Sequence, residues 1–144
     1  MKKIRNKFKE ENKVKKVFLG GTCNGSTWRN ELIEYLEIDY FNPVVEDWTE
    51  ECMAEEIKQR ENCDYVLYTI TPKMTGVYSI AEVIDDSNKR PERTLLCLLD
   101  EDDKPLFTVG QYKSLIQVGK MVRANGGKTF ISLYSAAQYL NKQK

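Results

Sequence analysis

Val17-Phe18-Leu19-Gly20-Gly21-Thr22-Cys23-Asn24-Gly25-Ser26 reads as a short buried strand that runs straight into a glycine-rich turn. A segment of helical period follows at once, from about Thr27 to Leu36, with Leu32, Ile33 and Leu36 on one face and Ser26 or Thr27 as its N-cap. A strand, a turn and a helix in that order form the building unit of a parallel α/β sheet. The same alternation continues outward. Ile38–Phe41 is a short second strand that stops at Asn42-Pro43, where proline lacks the ladder donor and pushes Asn42 into an extended conformation. Thr49 begins a helix that continues to about Asn62, with Glu50, Glu51 and Glu55 near its positive end. Tyr65–Ile70 is a third strand closed by Thr71-Pro72, and Val77 to about Asp86 is helical, with Ile80, Val83 and Ile84 toward the sheet. Thr94–Leu99 shows no polar alternation and so predicts a strand buried on both faces. Leu106–Arg123 contains a helix whose start the residues do not fix, and Asn125-Gly126-Gly127 ends it. Thr129–Ser132 and Tyr134–Leu140 supply a fifth strand and a closing helix. The expected fold class is α/β: a three-layer domain of the Rossmann or flavodoxin-like kind with a five-stranded, mainly parallel sheet.

At 144 residues, the chain is long enough for one such domain and its core. Hydrophobic types at 41% and charged types at 31% place it among soluble globular domains and away from disordered chains. The charge is uneven. Residues 1–16 hold eight basic residues against Glu10 and Glu11, a net +6, which leaves −6 on the remainder. Residues 1–15 are therefore read as a basic arm, expected to be a frayed or loosely docked helix, ahead of a domain over 16–144. An acidic body with a basic arm argues against duplex nucleic acid as a partner, because phosphate neutralisation needs a basic face on the folded domain itself. No histidine occurs, which excludes imidazole bases and histidine-containing zinc sites. Cys23, Cys52, Cys63 and Cys97 form no C-x-x-C pair and fit a reduced chain. The longest wholly apolar run, Leu95–Leu99, is far short of the ~20 residues of a membrane span. A cytoplasmic location without membrane contact is expected.

In a parallel α/β sheet the site lies at the carboxyl edge of the strands, so the loops Gly20–Ser26, Asn42–Trp48, Thr71–Ser79 and Asp100–Gln111 come first. Gly20-Gly21-Thr22-Cys23-Asn24-Gly25-Ser26 allows backbone amides to approach a ligand, or else is only a tight strand-to-helix turn. It lacks both the G-x-G-x-x-G spacing and the lysine of a P-loop. Glu82 follows Gly76 by six residues, on a helix that starts over the sheet edge, between Ala81 and Val83. It either points into the crevice or is an ordinary surface glutamate. Glu56 has a solvated reading among Glu51, Glu55 and Lys58. Trp28, Trp48 and Tyr78 either stack on a flat base or simply pack. Asp64 reads as a turn or helix-end residue at the opposite, amino edge. Asp85-Asp86 and Asp100–Asp103 are acidic runs without the spacing of a calcium loop, so no metal site is expected.

Taken in order, Phe18-Leu19-Gly20-Gly21-Thr22, Glu56 eight residues before Asp64, and Gly76 leading to Glu82 give the chain a resemblance to the nucleoside 2-deoxyribosyltransferase-like family, including relatives that hydrolyse deoxynucleoside 5′-monophosphates. The resemblance runs from about Val17 to Asp100. It implies Glu82 as nucleophile and Glu56 as the second catalytic acid. It also implies a substrate-binding set drawn from Gly20, Gly21, Thr22 and Asn24, from Asn42, Asp47 and Trp48, and from Gly76, Tyr78 and Ser79. Glu56 stands where the family usually has aspartate, Gly76 where an aspartate is common, and Phe18 where the transferases carry a tyrosine. The implied activity is transfer or hydrolysis at the N-glycosidic bond of a nucleoside or nucleotide by a retaining displacement, in a homo-oligomer and without a cofactor. The alternative on the same fold is a nucleotide-binding module without turnover.

Overall fold

The computed structural model describes residues 14–144. The basic arm falls almost wholly outside them. Five strands, β1 (Lys16–Gly21), β2 (Asp39–Phe41), β3 (Tyr65–Ile70), β4 (Thr94–Leu98) and β5 (Lys128–Phe130), form one sheet in the order β2-β1-β3-β4-β5. Every neighbouring pair is parallel, so the sheet is all-parallel and flavodoxin-like. The helices are α1 (Trp28–Tyr35), α2 (Glu50–Asn62), α3 (Tyr78–Lys89), α4 (Val109–Asn125) and α5 (Leu133–Asn141).

Alternate residues of the central strands feed two cores. Val17, Leu19, Leu67 and Leu95 meet Trp28 and Leu32 of α1 and Ala136 and Leu140 of α5 on one face. On the other face, Phe18, Val66, Tyr68 and Leu96 meet Val83 of α3 and Leu115 and Val122 of α4. Helix α2 is different, because none of its residues is buried. The chain leaves β1 toward β2 on one side and reaches β3 on the other, so the topological switch, and with it the crevice, lies between the carboxyl ends of β1 and β3.

Several boundaries differ from the sequence expectation for identifiable reasons. Helix α3 runs a turn further, to Lys89, because Asp86 and Ser87 are buried by partners that no local pattern announces. Helix α4 starts at Val109, where Thr108 and Gln111 form a reciprocal capping box, Thr108 N to Gln111 Oε1 at 2.9 Å and Gln111 N to Thr108 Oγ1 at 3.0 Å. That T-x-x-Q signal is present in the sequence. Strand β5 ends at Phe130 instead of Ser132, since Ser132 is the N-cap of α5 and accepts from Ser135 N. Asp64 accepts from Lys16 N at 2.9 Å, tying the start of β1 to the residue before β3. No helix among the described residues is long and apolar enough to cross a membrane.

Candidate active site

The crevice is built around the end of β1. Gly21 has φ +120°, and a Cβ there would stand 2.1 Å from the Thr69 carbonyl oxygen, so only glycine lets β1 hold its register against β3 while turning away. The carbonyls released by the turn are collected by one side chain. Arg29, 5% exposed, donates from Nε to Leu19 O at 3.0 Å, from Nη1 to Thr22 O at 2.7 Å and from Nη2 to Gly21 O at 3.3 Å. Trp28 Nε1 adds a bond to Thr22 O at 2.8 Å. A hydrogen bond from a charged donor is worth roughly 1.5–3 kcal/mol, which makes Arg29 the brace of the turn. Desolvation lowers its pKa, and it remains a cation.

A cleft of about 370 Å³ opens over this turn, lined by Gly20 and Gly21, by Val44, Val45 and Trp48, and by Glu56, Ser79 and Glu82. It shares Trp48, Glu56, Tyr78 and Glu82 with a second lobe of about 400 Å³ that Met53, Ile57 and Arg60 also line. A smaller recess of about 240 Å³ between Thr22 and Gly76 shares Gly21, Tyr78 and Ser79 with the main cleft. Glu82 is thus at the junction of the two large lobes, and only 8% exposed. The surface reading of this glutamate does not hold. Burial pushes its pKa up to about 7, opposed by Arg60 and reinforced by Glu56 and Asp86. Glu56 is partly buried in the same cleft, and desolvation raises its pKa against the pull of Arg60 and Arg29.

Beneath Glu82 lies a charged network. Arg60 contacts Glu82 at 3.7 Å, Asp85 at 2.9 Å and Asp86 at 3.0 Å. Asp86 is fully buried and also receives the Tyr68 hydroxyl at 2.5 Å and Arg90 Nε at 2.9 Å. Asp85-Asp86 is therefore an arginine clamp. Asp102, in the acidic run after β4, accepts from the hydroxyls of Ser26 at 2.5 Å and Thr71 at 2.6 Å and pins the β4 loop to the turn. Among the described residues, no cluster of three or more cysteine, aspartate or glutamate side chains is arranged to hold a metal ion.

The structure brings Gly20, Gly21, Trp48, Glu56, Tyr78, Ser79 and Glu82 around one cleft, and places the other expected residues elsewhere. The Thr22 amide, expected to face a ligand, is spent on Thr69 O at 2.9 Å, while its hydroxyl accepts from Thr71 N at 3.0 Å. Asn24 uses its amide to hold Lys73 O at 3.1 Å and Thr75 Oγ1 at 2.6 Å, and it borders the smaller recess with Gly76 but not the main cleft. Asn42 accepts from Val44 N in a local turn and borders a neighbouring recess. Asp47 is exposed and does not line the main cleft. Trp28 is core, 2% exposed, whereas Trp48 and Tyr78 are open, at 54% and 71%. Arg29 and Arg60 went unread in the sequence. Arg29 occupies the inward position of α1, three and four residues before Leu32 and Ile33, and Arg60 lies four residues after Glu56 on one helix face.

An all-parallel flavodoxin-like domain with two carboxylates converging at its switch-point crevice is the class that fold and cleft define. The chain belongs to the nucleoside 2-deoxyribosyltransferase-like family, whose model matches residues 14–101, more than half of its length. That span contains β1 to β4 and both glutamates. No curated protein matches the chain at a level that would mark a relative. The family is an enzymatic one, and membership points to a nucleoside substrate and to chemistry at the N-glycosidic bond.

Proposed function

We propose that this protein cleaves the N-glycosidic bond of a (deoxy)nucleoside or nucleotide by a retaining displacement in which Glu82 attacks C1′. The observation that carries this reading is a glutamate 8% exposed that nonetheless lines the junction of two open lobes, beside a second carboxylate, Glu56. A Glu82 oxygen forms the ester bond to C1′ as the C1′–N bond breaks, and the base departs with that electron pair and takes up a proton. The oxocarbenium-like centre between these states is met by the negative charge of Glu82. Water, or a second base, then takes the sugar from the ester. Glu56, whose desolvation favours the protonated form, hydrogen-bonds the sugar or the departing base. Trp48 and Tyr78, open at the rim, offer flat faces to a base, and the backbone of Gly20 and Gly21 lines the cleft beneath them.

The test is release of free base from a panel of deoxynucleosides and deoxynucleoside monophosphates, with and without a second base. Release that stops in Glu82→Gln supports the reading. Tight binding of the same panel with no base released at high protein concentration establishes the non-catalytic module instead. The pH profile is the second expectation. Because Glu82 attacks as the anion and burial holds its pKa near 7, kcat is expected to rise with pH through about 7 and level off above it. A rate that falls over that interval would assign Glu82 the part of an acid.

Helix α2 supports the homo-oligomer that the family resemblance implies. Met53 and Ile57 are 46% and 50% exposed on a helix without a fully buried residue, and they line the outer lobe with Trp48. A second copy laid over this face would cover them and close the outer lobe. Light scattering is expected to give a mass above one chain, and a monomer at assay concentration would contradict this part of the proposal.

A further inference from the structure

The Glu82 carboxylate makes no hydrogen bond to another described residue, and among those residues its single ion-pair contact is Arg60 Nη1 at 3.7 Å. That separation is too long for a hydrogen bond but close enough for strong charge–charge attraction. Arg60 is not free to close the gap. Its Nε is held by Asp86 Oδ2 at 3.0 Å and its Nη2 by Asp85 Oδ2 at 2.9 Å, and Asp86 is itself fixed by Tyr68 and by Arg90. The guanidinium is a rigid planar fork, so fastening two of its nitrogens fixes the third. We propose that Arg60 is a positioning residue: clamped by Asp85 and Asp86, it holds a positive charge beside Glu82 without hydrogen-bonding that carboxylate away from the cleft. This rests on reading Glu82 as the attacking group.

The arrangement answers two opposed needs. A buried carboxylate with Glu56 on α2 and Asp86 on α3 close by would hold a proton and could not attack. A carboxylate in a short bidentate pair with arginine would be ionised, yet both its oxygens would be engaged. An arginine anchored on other carboxylates and standing off by 3.7 Å favours ionisation while leaving the oxygens available to C1′. The clamp also ties α2, which lacks buried residues, to α3, so the two helices that carry Glu56 and Glu82 into the cleft are joined by one side chain. The charged and titratable groups around this point are Glu56 and Arg60 of α2, Asp85 and Asp86 of α3, Tyr68 of β3 and Arg90 beyond α3; Arg29 of α1 acts on Glu56.

Carboxyl-labelled glutamate, followed by NMR through a pH titration and assigned with Glu82→Gln, reads the coupling without any substrate. Arg60→Gln is expected to raise the Glu82 midpoint by about one unit or more, and Arg60→Lys, which keeps the charge, to return it most of the way. An unchanged midpoint in Arg60→Gln overturns the inference. Should Arg60→Gln fail to fold with Asp86 left short of a cation, the comparison is Asp86→Asn against Asp86→Asn/Arg60→Gln. A higher Glu82 midpoint in the double variant supports the inference, and equal midpoints overturn it. In the base-release assay, kcat of Arg60→Gln is expected to fall at pH 7 and recover at higher pH, with KM little changed. If Glu82→Gln still releases base, the nucleophile reading is the one that fails, while the titration judges the clamp on its own.

Discussion

Glu82→Gln is expected to abolish base release, by a factor on the order of 10⁴, while making the protein more stable. The first half follows from the displacement, since an amide cannot form the ester and removal of a covalent nucleophile leaves only the contribution of binding and electrostatics. The second half follows from linkage. Burial raises the pKa of Glu82 from the ordinary 4.5 to about 7, so its favourable contribution to folding is complete below the unfolded value and lost as pH rises through the folded one. Above pH 7 the chain carries a buried anion at a cost, and the isosteric amide removes it. Urea unfolding at pH 8 is expected to show Glu82→Gln more stable by roughly 1–3 kcal/mol, with the difference gone at pH 4. Lost activity in a stabilised protein separates a role in chemistry from a role in folding. A variant that is inactive and also less stable at pH 8 would mark Glu82 as a structural carboxylate.

The second large effect is expected at Gly21→Ala. The added Cβ would meet the Thr69 backbone at 2.1 Å from its oxygen and 2.7 Å from its nitrogen, and φ +120° is a conformation that L-residues rarely adopt. Backbone cannot rotate aside as a side chain can. The β1–β3 pairing would have to open at the floor of the cleft, where Arg29 gathers three carbonyls. Strain together with overpacking amounts to roughly 4 kcal/mol or more, a large share of a typical domain's ~5–15 kcal/mol. Gly25→Ala is the control. It has positive φ, +76°, but nothing within 4 Å of the added carbon, so it is expected to cost only about 1 kcal/mol. Equal unfolding midpoints for the two variants would show that the close approach at Gly21 does not constrain the turn.

The order of elements was legible because four of the five strands adjoin their own punctuation, Gly20-Gly21, Asn42-Pro43, Thr71-Pro72 and Asn125-Gly126-Gly127, and β4 holds an unbroken apolar run. Tyr65–Ile70 begins and ends where its β-branched and aromatic run does. The site was legible only in outline. Glu82 reads locally like any helical glutamate, and what buries it is β1 and α2, distant in sequence. Asn24 and Thr22 have ligand-binding chemistry, but the structure spends both on the Thr71–Thr75 loop. The arginine clamp was illegible for a similar reason. Its partners lie 25 and 26 residues apart along the chain, and only the packing of α2 beside α3 brings them together.

The measurement that bears most directly on the displacement is mass mapping of the protein after acid quench during turnover of a 2′-fluorinated deoxynucleoside, whose electron-poor sugar leaves the ester slowly. A glycosyl adduct on the peptide that contains Glu82, absent from Glu82→Gln, is the predicted result. A sugar product inverted at C1′, or an adduct on any other residue, would contradict it.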